Sequence, residues 1–496
     1  MTMTIQNSFT SNARRQLNEI GASLVREVSA GGRSSCRSVT THRGTVARCR
    51  RGSHRAWAAS LCATLVVLGV LGAPATAYRK DGGTFSPPVS GPFAYNTFGP
   101  GTPSFPGRGR SYVDPVFGTE VRRLTDEYPG TSGSQLYAKN GFWNADGTRL
   151  LHFRSDGSGL ILDTATGAVV RSGLPGGMNY DASFSPVDPD VLYFFDGKDL
   201  RSYSLRTDRT AKLKTFPARL GGLGASVDWI DRTGRHMLLN VGGMLRVWDR
   251  QGDVLYTGDV PAVHTHRCGE GWAGLSPDGR FVVTQKLVVR EPPCQKFETA
   301  HLSFAVDHQA RAVSTTPTMF WSLCGDHGDL VSASNGRTYF VGFECHSEAA
   351  VYAVDVALPQ QAEDGDKQRR ENRRLLKTRW TDTGHFSGVS RGEWADWAAV
   401  SIESTDDAFD SDGGPWAPFK QEIVMVNVLT GETRRLAHHR SRGIGSGCYR
   451  CTPRVSVSWD GARLAWSSNF NRRVNGRDYA DTYVAVVRWS EAASPR

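Results

Sequence analysis

Histidine, tyrosine and arginine residues recur a few positions ahead of polar turns in this sequence, and their side chains can do acid–base chemistry. His327 and His385 lie ahead of two such turns, Tyr137 and Tyr180 ahead of two others, and Arg454 ahead of the last. An imidazole can take up a proton near neutral pH, a phenol can donate one, and a guanidinium binds a carboxylate with two parallel hydrogen bonds. The same residue types also serve as hydrogen-bonding residues in loops, and the sequence leaves both interpretations open.

Further polar residues occupy equivalent upstream positions and suit contacts with a polar or charged ligand. We expect the substrate-binding residues to be Lys139, Asn140, Asp181 and Arg267. His264 and His266 are alternate residues, which share one face of a strand and can therefore bind one metal ion together. The alternative for this histidine pair is a loop beside Cys268.

One local pattern repeats along the chain and must position these residues: an apolar strand, a polar turn usually of Asp-Gly type, and a second apolar strand. Asp-Gly between apolar runs favours a tight hairpin, because the turn residues need positive φ. Clear copies begin at Phe142, Ala273 and Val455, and looser copies at Phe184, Trp229, Val331 and Phe386. Units of three to four strands at a spacing of about 40 to 60 residues are typical of propeller blades.

The seven copies predict an all-β, seven-bladed β-propeller, with a β-sandwich as the alternative. The strand before each turn is then the innermost strand of its blade. Residues just upstream of that strand reach the mouth of the central channel, where propellers bind ligands. We therefore expect the candidate residues to lie around one mouth.

The first 77 residues predict a basic leader and a signal peptide. They contain ten arginines against two glutamates, and an apolar run from Ala56 to Gly72 precedes Ala75-Thr76-Ala77, which fits a cleavage site. An uncleaved anchor is the alternative, although the run is shorter than the roughly 20 residues that span a bilayer. The whole chain carries a net charge of +10, but the part after residue 77 carries only +2, which gives no support to nucleic-acid binding.

Two further regions follow the leader. Residues 78–112 are rich in Gly and Pro and predict a linker or arm, and residues 113–490 predict the propeller. Val113–Thr125 is well placed to pair with the last blade after Tyr483–Val487. Six cysteines follow residue 77, and an even number in an exported protein suggests disulfides. Neighbour pairing would join Cys268 to Cys294, Cys324 to Cys345 and Cys448 to Cys451, one of 15 connectivities.

Three segments give the chain a resemblance to the oligogalacturonate-lyase-like and TolB-like propeller families. They are DPVFGTEVRRLT at 114–125, TGHFS at 383–387 and PRVSVSWDG at 453–461. The resemblance to the lyase-like group implies a metal-assisted uronate site that binds a divalent ion (Mn²⁺, Ca²⁺ or Zn²⁺). His327 and His385 are the best matches, and with His264 and His266 they form the expected metal set. This chain has Gln135 close to Tyr137, where the lyase-like group commonly has a histidine.

Two functions from different classes follow from this resemblance. The first is an exported lyase that cleaves an acidic, uronate-containing glycan by β-elimination, with His327, His385, Tyr137, Tyr180 and Arg454 as the catalytic residues. The second is a non-catalytic TolB-like propeller that binds a glycan or a protein in the cell envelope. Both imply a secreted or periplasmic monomer with no membrane span after the leader. No G-x-S-x-G or P-loop motif occurs to suggest another enzyme class.

Overall fold

Seven separate antiparallel sheets make up the protein in the computed structural model, so the seven-bladed β-propeller is confirmed. The structure describes residues 78–489 apart from 81, 127–136, 155, 225–226, 263–270, 292–295, 323–326, 345–347, 361–372, 405–415, 445–448, 473–478 and 488. Neighbouring blades contact one another around the whole ring, and blade seven contacts blade one. No helix among these residues is long and apolar enough to cross a membrane.

The first three blades follow one another along the chain. Blade one contains β3 Arg149–Phe153, β4 Gly159–Asp163 and β5 Val169–Ser172, with Trp143 bridged to Leu150 on its inner side. Blade two contains β6 Ser183–Phe184, β7 Val191–Asp196, β8 Asp199–Ser204 and β9 Arg209–Thr215. Blade three contains β10 Leu220–Gly221, β11 His236–Val241, β12 Met244–Asp249, β13 Val254–Leu255 and β14 Val260–Pro261.

The next three blades have the same antiparallel order from the inside outward. Blade four contains β15 Ala273–Leu275, β16 Phe281–Glu291, β17 Lys296–Asp307, β18 Ala312–Val313 and β19 Thr318–Ser322. Blade five contains β20 Gly328–Ser332, β21 Thr338–Glu344, β22 Ala350–Asp355 and β23 Arg373–Lys377. Blade six contains β24 Asp382–Gly388, β25 Trp397–Ser404, β26 Glu422–Asn427 and β27 Thr433–His438.

Blade seven combines both ends of the propeller. It contains β28 Ser456–Val457, β29 Arg463–Ser468 and β30 Asp481–Val486 from the late sequence, followed by β2 Glu120–Arg123 and β1 Ser111–Val113 from the early sequence. Val121 pairs with Ala485. The segment around Val113–Thr125 therefore closes the ring, because an early strand completes the last sheet and leaves blade seven joined to blade one.

The predicted polar turns connect the first two strands of each blade. Gly147 and Gly279 have φ angles of 69° and 73°, which is the left-handed conformation that an Asp-Gly turn requires. Packing between blades then fixes their order. The Trp143 indole donates to Ser456 Oγ at 3.0 Å, and the Trp459 indole donates to the Trp143 carbonyl at 2.8 Å, so these buried rings join blades seven and one.

The Gly/Pro-rich segment 78–110 packs against the propeller and is more than a connecting linker. Tyr78, Tyr95 and Phe98 are buried, and Phe98 lies within the apolar core shared by blades six and seven. Arg79 forms an isolated β-bridge to Arg435 on the outer strand of blade six. Aromatic residues spaced through the segment supply this burial, which its Gly and Pro content alone does not indicate.

Acid should destabilise the fold through two buried neutral histidines. Burial lowers the pKa of His152 to about 3 and that of His439 to about 4. Because the unfolded chain takes up these protons near pH 6.5, stability is complete above that pH and falls as the pH drops toward the two folded-state values. Each pKa unit is worth roughly 1.4 kcal/mol, so we expect a loss of several kcal/mol at the acidic end.

Urea unfolding at neutral and mildly acidic pH measures this effect. Buried carboxylates with raised pKa values make the fold more stable as the pH falls, which opposes the effect of the histidines. The test therefore compares how steeply the free energy of unfolding changes with pH in the variant and in the wild type. His152→Gln should flatten the fall of stability with acid relative to the wild type. An unchanged slope in this variant would show that His152 does not contribute.

Candidate functional site

Five residues converge where the innermost strands of four blades begin, and we call them the mouth cluster. They are Tyr137 of blade one, His327 of blade five, His385 and Glu403 of blade six, and Arg454 of blade seven. Each of the four residues other than Glu403 lies at or just ahead of an inner strand, as the sequence predicts. Ring closure brings these blades around one mouth of the central channel.

The two imidazole rings of His327 and His385 stack on each other. Their ring centroids are 4.0 Å apart with an interplanar angle of 21°. Tyr137 meets both rings edge-on, at centroid distances of 6.4 Å to His327 and 5.7 Å to His385. His385 is only 4% exposed, while His327 is half-buried. His327 is therefore the outer ring of the pair.

Glu403 orients His385 from behind. Its carboxylate lies 2.9 and 3.1 Å from His385 Nδ1, and its Oε1 accepts hydrogen bonds from Ser401 Oγ and the Arg454 amide. Burial raises the pKa of the Glu403 carboxyl, while its hydrogen bonds and the Arg454 charge act in the opposite direction. In the tautomer that carries the proton on Nδ1, this proton is directed at Glu403 and Nε2 keeps its lone pair. Nε2 has no hydrogen-bond partner among the described residues. Burial, and secondarily the Arg454 charge, lower the pKa of His385 well below its ordinary value. The imidazole is therefore neutral at neutral pH.

Arg454 brings a positive charge to the mouth cluster. Its guanidinium carbon lies 5.2 Å from the centre of the Tyr137 ring, a cation–π distance, and the residue is 2% exposed. Its φ is 50°, a left-handed conformation that costs a non-glycine residue about 1 to 3 kcal/mol. The bond from its amide to Glu403 is made in this conformation, so the same backbone geometry positions both side chains.

Asn140 plugs the channel beneath the mouth cluster. Its amide nitrogen donates to the carbonyls of Gly388 at 2.9 Å and Val457 at 2.8 Å, and its amide oxygen accepts from the Ser390 hydroxyl. Asn140 therefore joins blade one to blades six and seven. It was predicted to contact substrate, but its side chain is buried and engaged in joining these blades.

Lys139 and Asp228 complete this plug. Asp228 of blade three accepts from the amides of Asn140 at 2.7 Å and Gly141 at 2.8 Å, and the Lys139 ammonium donates to the Tyr180 carbonyl at 2.6 Å. Burial lowers the pKa of Lys139, while nearby carboxylates act in the opposite direction. Lys139 is fully buried, so its predicted substrate contact is replaced by a bond to a neighbouring loop.

A second carboxylate lies near Asp228. Asp329 of blade five accepts from the Gly388 amide at 2.7 Å, and burial together with the charge of Asp228 raises its pKa well above the ordinary value. At the opposite, turn end of the ring, Arg391 of blade six donates to the carbonyls of Pro186 and Ala145 in blades two and one. Polar groups thus bridge the channel at two levels below the mouth.

Removing the Asn140 side chain should destabilise the ring. Asn140→Ala leaves the buried Gly388 and Val457 carbonyls without their donor, and each unsatisfied buried group costs about 1 to 3 kcal/mol. We expect a loss of roughly 3 kcal/mol in urea unfolding. Asn335→Ala is the matched control, because Asn335 lies in an exposed turn, and it should cost less than about 1 kcal/mol. Equal effects of the two substitutions would contradict the plug.

The remaining predicted site residues lie apart from the cluster or outside the described residues. The Tyr180 ring packs on Phe153 with centroids 5.0 Å apart, in the loop that enters blade two. Asp181 accepts from the Leu223 amide at 3.2 Å, and its carbonyl accepts from the Trp229 indole at 2.8 Å. The residues outside the described ranges are His264, His266, Arg267 and five cysteines, Cys268, Cys294, Cys324, Cys345 and Cys448. Cys451 is disulfide-bonded, and its partner lies outside the described residues, so the pairing of the cysteines stays a prediction.

The mouth cluster fits a divalent ion only in part. His327 and His385 offer two imidazoles, and the carboxylate behind His385 is a common partner of metal-binding histidines. Within the described ranges, however, no group of three or more His, Cys, Asp or Glu side chains has a metal-binding arrangement. Two donors are fewer than the three or four protein ligands usual for zinc.

Glu403 was missed from the sequence, although a signal existed. Ser401 and Glu403 are alternate polar residues in strand β25, WAAVSIES, which is apolar apart from these two and its last residue, Ser404. Alternate residues share a strand face, and a charged residue in a fully buried strand needs a partner. The predicted site residues all lie at or ahead of innermost strands, whereas β25 is the second strand of its blade.

No protein-family model and no curated protein matches this chain. Among solved structures it is similar to an oligogalacturonate lyase from Vibrio parahaemolyticus, at 12% identity over 77% of this chain and 96% of that chain, with a TM-score of 0.46. The U3-55K structure has 11% identity over 74% and 98%, and a TM-score of 0.40. The tricorn protease has 12% identity over 75% and 42%, and a TM-score of 0.36. The fold assignment rests on the seven sheets themselves.

Proposed function

We propose that this chain is exported, binds an acidic, uronate-containing glycan at the mouth cluster, and cleaves it by β-elimination. The observation that carries the proposal is the convergence of Tyr137, His327, His385 and Arg454 from four blades, with Glu403 orienting His385. The leader predicted for residues 1–77 supports the export, and we propose a monomer that acts outside the cell or in its envelope.

The cluster contains the groups that this reaction needs. A base removes the proton at C5 of the uronate, the electron pair forms a double bond to C4, and the C4–oxygen bond breaks as an acid protonates the leaving oxygen. His385 Nε2 is the base, because Glu403 fixes the tautomer and the ring is neutral. Arg454 offsets the carboxylate charge that opposes C5 deprotonation, and Tyr137 donates to the leaving oxygen.

A divalent ion is the alternative way to offset the substrate carboxylate. Mn²⁺, Ca²⁺ or Zn²⁺ bound to His327 and His385 would polarise the carboxylate and lower the barrier to deprotonation. His264 and His266 would then be the further ligands. Metal analysis of the purified protein, with activity measured before and after chelation, separates this form of the proposal from the one in which His385 is the base.

A screen of anionic polysaccharides for the ultraviolet absorbance of an unsaturated uronate tests the proposal. We expect new absorbance with at least one polyuronate and none with neutral glycans. Glycan binding without product would favour the second function, a non-catalytic propeller in the cell envelope. The observation in favour of that function is the burial of His385 behind His327, which limits the approach of substrate to Nε2.

A further inference from the structure

A groove lies between blades seven and one, and we call it the inter-blade groove. Its volume is about 440 Å³, within the range of about 300 to 1,000 Å³ that is usual for ligand sites. Its lining includes three arginines and two valines, namely Arg122, Arg149, Arg463, Val484 and Val486. Arg149 and Arg463 each follow the Asp-Gly turn of their blade by two residues, which places the groove at the end of the ring opposite the mouth cluster.

An ion pair between the second and third strands recurs at this end of three blades. In blade one, Arg149 is paired directly opposite Asp163, and the two side chains are 2.8 Å apart. Blades three and five have similar pairs at 2.7 Å, Arg235 with Asp249 and Arg337 with Asp355. In each of these blades the arginine follows a turn, and the aspartate ends the third strand.

Blade seven keeps the arginine and lacks the carboxylate. Arg463 begins β29, but the residue paired directly opposite it, at the end of β30, is Val486. Within the described ranges, the Arg463 guanidinium has one long hydrogen bond, 3.4 Å to the Asp146 carbonyl of blade one, and no ion pair. The half-buried Arg463 is therefore without the counterion that its equivalents have.

The other two arginines of the inter-blade groove have acidic partners. Arg149 pairs with Asp163, and Arg122 pairs with Glu120 at 3.2 Å. Arg122 also donates to the Ala165 carbonyl of blade one at 2.5 Å. These pairs offset each other, so the positive charge of Arg463 gives the groove its net charge and favours an anionic ligand.

The floor of the inter-blade groove is apolar. Val484 is 4% exposed and belongs to the core shared by blades seven and one, whereas Val486 is 57% exposed. Alternate residues of a strand share a face, so the apolar surface continues from the core into the groove. Directly paired residues of antiparallel strands have side chains about 5 Å apart. Arg463 and Val486 therefore offer a cation and an apolar contact side by side.

We propose that the inter-blade groove binds an extended acidic peptide of a partner protein. An aspartate or glutamate of the peptide would pair with Arg463 in place of the missing carboxylate, and an apolar side chain two residues away, on the same face, would cover Val486. An inorganic anion would leave the valines uncovered. A long aliphatic chain would take the two ion pairs of the groove out of water with no polar contact in return, whereas peptide amides can hydrogen-bond to such groups.

Ligand-observed NMR titration of the full-length protein with the blocked peptide Gly-Asp-Ala-Val-Gly tests the proposal. The wild type should bind this peptide about tenfold more tightly than its Asn counterpart, because a hydrogen bond to a charged group is lost. Val486→Asp should abolish this preference, because it places a carboxylate opposite Arg463, as Asp163 lies opposite Arg149. Val486→Thr has a similar shape and no charge, and it should change the affinity by less than about threefold.

Arg463→Ala should remove the same preference for the Asp peptide. Arg337→Ala is the matched control, since Arg337 follows the equivalent turn of blade five and has its own aspartate. No binding of the Asp peptide, or equal affinity of the wild type for both peptides, would overturn the proposal. Unchanged binding in Arg463→Ala and Val486→Asp would do the same. Displacement of the peptide by an equal concentration of propionate would assign the groove to small carboxylates instead.

Discussion

Replacing His385 by Gln is expected to lower the rate of the proposed uronate elimination by about 10² to 10⁴, the usual contribution of a positioned general base. Gln tests the role of the base more specifically than Ala does. Its amide can still donate to Glu403, so the buried carboxylate keeps a partner, but the side chain has no basic nitrogen. His385→Ala should lose as much activity, but it also leaves Glu403 unpaired. Initial rates from the ultraviolet absorbance of the product, with circular dichroism to verify folding, measure both.

His308→Ala provides a control for the loss of a histidine that packs on another histidine. The His308 ring packs on the His236 ring with centroids 4.1 Å apart and an interplanar angle of 34°, and it forms a hydrogen bond with Tyr256. This pair lies between blades three and four, outside the mouth cluster. Its replacement should leave the rate unchanged. The losses from His327→Ala and His385→Gln should be non-additive, as expected for groups that act as a unit. Full activity in the His385 variants would remove His385 from the reaction.

Replacing Arg123 by Ala is expected to lower the free energy of unfolding by about 3 to 5 kcal/mol, the usual cost of leaving one partner of a buried ion pair alone. Arg123 Nε and Nη2 donate to Asp481 Oδ2 at 2.9 and 2.7 Å, and the Asp481 side chain is fully buried. The pair joins the early strand β2 to β30, so the substitution weakens the closure of the ring. Urea unfolding measures the loss.

The adjacent residue supplies the control for this prediction. Arg122 lies on the same strand but pairs with Glu120 at the surface, so Arg122→Ala should cost about 1 kcal/mol or less. Arg123→Met combined with Asp481→Leu should lose less than Arg123→Ala alone, because it leaves no buried charge unpaired. A loss below about 1 kcal/mol for Arg123→Ala would mean that this ion pair does not secure the ring.

The blades and their order could be predicted because their signals are local. An Asp-Gly turn such as Asp146-Gly147 and the apolar strands beside it lie within one short stretch of chain, so each hairpin is specified by adjacent residues. Seven such units in the sequence predict seven blades. The pairing of Val113–Thr125 with the last blade could be anticipated for a related reason, since a closed ring must join its two ends.

Part of the mouth cluster could be predicted for the same reason, and part could not. Once the turns identify the inner strands, His327, His385, Tyr137 and Arg454 are among the polar residues that precede or begin them. Nothing in their spacing gives the 4.0 Å stacking of His327 on His385, because the two residues belong to separate hairpins. Glu403 lies on a second strand, where sequence position alone does not distinguish a site residue from a buried structural one.

The amino-acid sequence by itself determined the hairpins, their number and the end of the channel at which the polar residues gather, because these depend on neighbouring residues. Only the tertiary structure decided which of those residues face one another. Asn140 and Val457 are 317 positions apart, yet they share a hydrogen bond, since closure of the ring brings blade seven against blade one. The same closure buried Lys139 and Asn140 as a plug and left His327 and Tyr137 accessible at the mouth, because burial depends on the packing of all seven blades.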